Sequence, residues 1–228
     1  MTYQSAVFFD LDHTLISGPF GIGVWPNLLR ELVEKTGLDR DEIYRLMLAE
    51  NEARQLDASV SAEAAMDWDH IAVTVARRLG VTDLEANICA LAAAHAAQST
   101  VLPGGRDMLA ALAAPHRALV VATKGLAKYQ LPVLAALQLT PLFAAILTPD
   151  VHHALKQHAA FWGDWPQRVR LGIMVGDRHD DDVLGPAAVG FKTIWKVDEL
   201  PDRLQAKDAF TRALLYPYTP QQTPPADA

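Results

Sequence analysis

Ala6-Val7-Phe8-Phe9-Asp10-Leu11-Asp12 is the stretch on which the fold turns. Its apolar start shows no alternation, which suits a strand covered on both faces, as in a parallel sheet. Four further runs of this kind follow: Ala118-Leu119-Val120-Val121-Ala122, Ala145-Ile146-Leu147, Leu171-Gly172-Ile173-Met174-Val175 and Phe191-Lys192-Thr193-Ile194-Trp195. Between them lie helix-like stretches at Arg106 to Ala114, Lys128 to Leu139, Lys156 to Trp165 and Asp181 to Val189. Alternating strand and helix argues for an α/β fold with a parallel sheet.

Residues 18–100 break that rhythm with four helical stretches and no convincing strand. The first runs near Pro26 to Lys35 and ends at Gly37, and the second follows Asp39 with Ile43, Leu46, Met47 and Glu50 at helical spacing. The third follows Ser61 and ends before Gly80. The fourth follows Thr82, where Glu85 three residues on fits a capping box. Such a block, inserted after the first strand, reads as a separate helical module. Pro103-Gly104-Gly105 marks the return to the α/β body. The prolines at 217, 220, 224 and 225 predict a loose tail over 217–228.

The 228 residues suffice for a sizeable core, and 50% hydrophobic with 21% charged is an ordinary globular composition. A net charge of -7 offers no electrostatic footprint for nucleic acid or an anionic membrane. The single cysteine, Cys89, excludes an internal disulfide and a cysteine-based zinc site. No apolar run approaches a membrane span, and Asp10 and Asp12 come too early for a signal peptide, so a cytoplasmic protein is expected. The charge is uneven: residues 18–100 hold 7 Lys and Arg against 13 Asp and Glu, leaving the remainder nearly balanced.

Asp10 and Asp12 are two apart at the end of the first run, and a period of two puts them on one face. In open α/β sheets, ligands sit beyond the carboxyl ends of the strands. Two carboxylates so close stay ionised only near a cation or hydrogen-bond donors, and a hard cation such as Mg²⁺ meets that need. Thr123 ends the second run, where a hydroxyl beside a helix start can hold a phosphoryl oxygen or simply cap the helix. Lys156 follows the third run. Gly176-Asp177 follows the fourth, with Asp180, Asp181 and Asp182 close behind. His152, His153 and His158 read as a solvated loop rather than a metal cluster.

The order of these residues resembles the haloacid dehalogenase (HAD) superfamily of phosphohydrolases. Phe8 to Leu15 looks like its DxDxT motif, Val120 to Thr123 its second, Lys156 the lysine of its third, and Val175-Gly176-Asp177 through Asp182 its GDxxxxD. The resemblance runs from Val7 to about Val197. It implies a Rossmann-like parallel sheet core over 1–17 and 101–216, with an all-helical C1 cap domain over 18–100. It further implies that Asp10 attacks phosphorus to form an aspartyl phosphate and that Asp12 serves as general acid and base. Mg²⁺ would then be held by Asp10, Asp177 and the Asp12 backbone carbonyl. Thr123 and Lys156 would hold the phosphoryl oxygens. Lys124, directly after Thr123, competes with Lys156 for that role. Asp182 is preferred as the second acid of the fourth motif, with Asp181 not excluded. His13 stands where glycine is common.

A small phosphorylated metabolite is the implied substrate, hydrolysed by a phosphatase acting as a monomer or homodimer. The family's dehalogenases lack an acid at the position of Asp12. A phosphonate-cleaving relative needs a cap lysine, and Lys35 is the one lysine between 18 and 100. The alternative is a non-catalytic HAD-fold protein that binds a phosphorylated ligand or partner. Trp25, Arg45, Arg54, Trp68 and His70 could read a leaving group, though packing and surface pairing account for each.

Overall fold

The computed structural model describes residues 3–197. It opens with β1 (Tyr3–Phe9) and the short β2 (Ile16–Ser17), followed by a π-type turn over Phe20–Val24. Five helices come next: α1 (Trp25–Thr36), α2 (Arg40–Leu56), α3 (Ala62–Met66), α4 (Trp68–Arg78) and α5 (Ile88–His95). The chain returns through β3 (Thr100–Val101), α6 (Gly105–Leu112), β4 (Arg117–Ala122) and α7 (Ala127–Ala136). It then runs through β5 (Ala145–Leu147), α8 (Pro149–His152), α9 (Trp165–Arg168), β6 (Val169–Gly176), α10 (Gly185–Ala188) and β7 (Lys192–Trp195).

The main sheet has five parallel strands in the order β5-β4-β1-β6-β7. β1 lies at its centre, and both of its faces are covered, as its unbroken apolar run predicts. Phe8 packs with Trp162, Trp165 and Phe191 on one face, while Val7 and Phe9 pack with Leu109, Leu119 and Val133 on the other. The result is the expected α/β fold, a Rossmann-like parallel sheet with helical segments. No helix among the described residues is long and apolar enough to cross a membrane. The expected tail over 217–228 lies outside the described residues.

The helical stretch of 18–100 leaves and re-enters through a small ribbon, in which β2 pairs antiparallel with β3. The sequence predicts no strand there. The helices share a core of Leu28, Leu32, Ile43, Met47, Ile71, Val75 and Ile88, which continues into Leu126, Tyr129 and Leu155 of the sheet-bearing part. Asp39 caps α2 through two backbone N–H groups, as its position predicts. The expected third helix is two, because Asp67 leaves helical geometry and caps α4 instead. The expected Thr82–Glu85 capping box does not form. The Glu31 carboxylate takes the N–H groups of Glu85 and Ala86, and that segment forms no helix. The helix starts later, at Ile88, capped by Asn87.

Two further expectations fail in informative ways. Asp10 and Asp12 lie beyond β1, which ends at Phe9, so strand alternation does not place them. The helix expected over Lys156 to Trp165 is absent. That segment holds a 3-10 turn at Ala159–Trp162, and Gly163, with φ 53°, separates it from the single turn of α9. Phe161, Trp162 and Trp165 are drawn onto the sheet face instead. The acids after β6 form a π-type turn over His179–Leu184 before α10, rather than one continuous helix.

Candidate active site

Four connections at the carboxyl ends of β1, β4, β5 and β6 converge. Asp10 follows β1, and its backbone N–H donates to the Val175 carbonyl of β6. Thr123 follows β4, and Asp177 follows β6. Lys156 follows β5 and α8, in the turn that the aromatic packing creates. Trp162 Nε1 donates to the Lys156 carbonyl and so ties that turn to the core.

Lys156 is 1% exposed. Its Nζ reaches Asp10 Oδ1 at 2.6 Å and Asp182 Oδ1 at 2.7 Å. Oxygens of Asp10, Asp177 and Asp182 lie within 4.8 Å of one another, the one such cluster among the described residues. Thr14 donates to Asp177 at 3.4 Å. Asp182, not Asp181, joins this group. Asp181 instead accepts from Lys124 and Arg178.

Burial pushes the Asp10 carboxyl up to about 7; Lys156 opposes the rise, and Asp182 and Asp12 add to it. Asp182 is also raised, chiefly by burial. Lys156 shifts upward despite its burial, because the charges of Asp10 and Asp182 outweigh desolvation. The asymmetry has a simple origin: the lysine gains two anions, whereas each acid has half a lysine and an acidic neighbour. One lysine among Asp10, Asp177 and Asp182 leaves an excess of negative charge on hard oxygen donors. A divalent metal ion fits that donor set.

Asp12 stands beside this cluster and is bound differently. Its Oδ2 accepts from Gln130 Nε2 of α7 at 2.8 Å. Its carboxyl is raised by burial, against the pull of that bond. Sequence reasoning misses Gln130. The available signal is a glutamine on the apolar α7, where Tyr129, Val133 and Leu134 are buried beside it. Thr123 is 2% exposed, and its hydroxyl accepts from the Gly125 N–H at 3.1 Å, so it shapes the loop after β4. Lys124 points to Asp181 and to Gln55 of α2 rather than to Asp10.

The other residues singled out in the helical stretch are held structurally. Trp25 packs on Trp68, Tyr44 and Phe20. Arg54 bonds Glu50, Thr74 and the Ala64 carbonyl, and Arg45 bonds the Asp41 carbonyl. The His70 N–H helps cap α4 on Asp67. Lys35 is engaged by Glu31 and Asp83. His13 adopts φ 61°, the left-handed conformation that glycine reaches without steric cost and other residues seldom do.

Many solved structures share the fold, among them the following three. A HAD phosphatase from Thermococcus onnurineus aligns at TM-score 0.66 and 23% identity, over 87% of this chain and 89% of that one. The putative HAD-hydrolase YfnB from Bacillus subtilis, bound to magnesium, aligns at 0.64 and 17%, over 89% and 93%. L-2-haloacid dehalogenase from Xanthobacter autotrophicus aligns at 0.58 and 18%, over 92% and 81%. A search of curated protein sequences gave no match. The family model for haloacid dehalogenase-like hydrolases matches residues 7–171, from β1 into β6. Asp10, Asp12, Thr123 and Lys156 fall within the matched residues while Asp177 and Asp182 lie beyond them, and the match over most of the chain shows that it belongs to the haloacid dehalogenase-like hydrolases.

Proposed function

We propose that this hydrolase is a Mg²⁺-dependent phosphatase of small phosphomonoesters that works through an aspartyl phosphate on Asp10. The observation that carries the reading is Asp12, a second acid two residues from the nucleophile and held by Gln130 at 2.8 Å. An alcohol leaving a phosphate needs a proton, whereas a halide leaving carbon does not. Dehalogenation, the activity in the name of one structural relative, has no use for Asp12 or for the excess of acids around Asp10.

Bound Mg²⁺ would neutralise charge on the phosphate and keep Asp10 ionised, with Asp10, Asp177 and Asp182 as the candidate carboxylates around it. Lys156 holds Asp10 and Asp182 in register for that arrangement and supplies positive charge to the phosphoryl group. Thr123 borders the phosphoryl position from the loop after β4. Asp10 attacks phosphorus, Asp12 protonates the departing oxygen, and Asp12 then takes a proton from the water that releases phosphate. The helical stretch of 18–100 serves as a cap that excludes water. Its acidity favours a small ester over a long polyanion.

A screen of phosphorylated metabolites with purified protein tests the reading. Phosphate release is expected with Mg²⁺, lost with EDTA and lost in Asp10→Asn. Turnover that ignores EDTA or survives Asp10→Asn overturns it, and chloride release from a 2-haloacid would favour dehalogenation instead.

A further inference from the structure

We infer that Gln130 is a positioning residue for Asp12, whose side-chain amide settles which carboxyl oxygen carries the transferred proton. The inference rests on the phosphatase reading of the site. Gln130 is 3% exposed, and its Nε2 donates to Asp12 Oδ2 at 2.8 Å. An amide nitrogen is a donor only, so a hydroxyl on Oδ2 would face it hydrogen to hydrogen. The proton of Asp12 therefore sits on Oδ1.

The surroundings are shaped for this pair. A Cβ added to Gly18 would lie 2.3 Å from Asp12 Oδ1, so the bare backbone there leaves that oxygen room. A Cβ on Gly125 would lie 2.0 Å from Gln130 Nε2, so the loop after β4 closes around the amide only because it carries glycine. Two segments far apart in the chain thus accommodate one hydrogen bond. An apolar side chain would pack at position 130 beside Val133 and Leu134 without the desolvation cost of an amide. Gln130 also follows Lys128 and Tyr129, which bond Asp67 and Asp69 of the helical stretch. One turn of α7 therefore grips both the insertion and the acid.

In the first half-reaction an Asp10 oxygen bonds to phosphorus as the phosphorus–oxygen bond to the leaving group breaks. The leaving oxygen keeps that electron pair and takes the proton from Asp12 Oδ1, and Asp12 becomes a carboxylate. In the second half-reaction a water oxygen bonds to phosphorus, and the Asp10–phosphorus bond returns its electrons to Asp10. The water's proton passes to Asp12 Oδ1. Gln130 is unchanged throughout and orients the acceptor in both steps.

The test compares Gln130→Met and Gln130→Leu with the wild type on p-nitrophenyl phosphate and glycerol 2-phosphate. The p-nitrophenolate ion departs without a proton, whereas an aliphatic alcohol needs one. The kcat/KM for glycerol 2-phosphate is expected to fall about tenfold or more, with a change below about threefold for p-nitrophenyl phosphate. Their ratio within one preparation is independent of how much of the variant is folded. Equal losses on both substrates, or no loss on either, overturn the role of Gln130. Turnover that survives Asp10→Asn or EDTA overturns the phosphatase reading itself, so the two can fail separately.

Discussion

Two clusters in this protein have the same composition, one lysine between two aspartates, yet an acid is lowered in one where both acids are raised in the other. Lys156 lies between Asp10 and Asp182 at 2.6 and 2.7 Å, and Lys128 between Asp67 and Asp69 at 2.8 and 3.1 Å. The Lys156 side chain is 1% exposed and that of Lys128 is 36% exposed. Burial dominates the first cluster and raises Asp10 and Asp182. In the second, burial also pushes Asp67 up, but bonds from Lys128 and Tyr129 outweigh it, and the carboxyl ends below its ordinary value. Water is the difference: where it is excluded, charge is held uneasily and is available for chemistry. Where it remains, the same groups form a plain tie between α7 and the helical stretch.

Removing each lysine tests that account, and the largest effect is expected at Lys156. Lys156→Met leaves two buried acids without their cation. Breaking a buried pair in this way costs about 3–5 kcal/mol, or a drop in Tm of roughly 10 °C for a chain of this size. Activity should fall by about a hundredfold or more, as for loss of a charge-stabilising donor. Thermal unfolding measured without metal reads the first effect, and phosphate release the second. Adding Asp182→Asn should recover part of the stability and none of the activity. If Lys156→Met costs no more stability than loss of Lys128, burial is not what separates the clusters.

The buried cluster is far more legible in the sequence than the tie. Asp10, Thr123, Lys156, Asp177 and Asp182 each come after an unbroken apolar run, and a parallel sheet gathers the residues beyond its strand ends at one edge. Local pattern carries that much. It does not carry the partners that distant segments supply. Gln130 bonds an acid 118 residues away. Glu31 captures N–H groups 54 and 55 residues on, and so displaces the capping box expected at Thr82 and Glu85. Phe161, Trp162 and Trp165 have helical spacing, yet the sheet face claims them and leaves Lys156 in a turn. His13 is a departure at a glycine-favouring turn, and its φ of 61° supplies the physical content of that departure.

An intermediate effect is expected at Tyr129, which is fully buried and belongs to the second cluster through its hydroxyl alone. That hydroxyl lies 3.0 Å from both Asp67 and Asp69 and accepts the Asp69 N–H at 3.1 Å. Tyr129→Phe keeps the ring packed on Phe20. It removes one hydroxyl from a half-buried polar group, at a cost of about 1–2 kcal/mol in denaturant unfolding. A cost matching that of Lys156→Met would mean that the tie is as dry as the cluster around Lys156, and the contrast between them would fail.

The smallest effect is expected at Lys128, and its pH dependence is the sharpest test of sign. Both of its ion pairs are partly exposed, so Lys128→Met should cost about 0.5–1 kcal/mol at neutral pH, and less in high salt. Asp67 lies below its ordinary 3.8 in the folded protein, so its contribution is present above that pH. The contribution is lost as pH falls through the lowered folded value, where protonation removes the charge that Lys128 binds. Lys128 lies above its ordinary 10.5, because its bonds to Asp67 and Asp69 outweigh desolvation. Its contribution is therefore full below that pH and lost as pH rises through the raised folded value. The stability gap between wild type and Lys128→Met should form a plateau through neutral pH, shrink as pH falls through the lowered folded value of Asp67 and shrink again as pH rises through the raised folded value of Lys128. Chemical denaturation at stepped pH measures it. A gap that instead widens as pH falls from neutrality would place Asp67 with the raised acids beside Lys156, and exposure would no longer explain why Asp67 is lowered where Asp10 and Asp182 are raised.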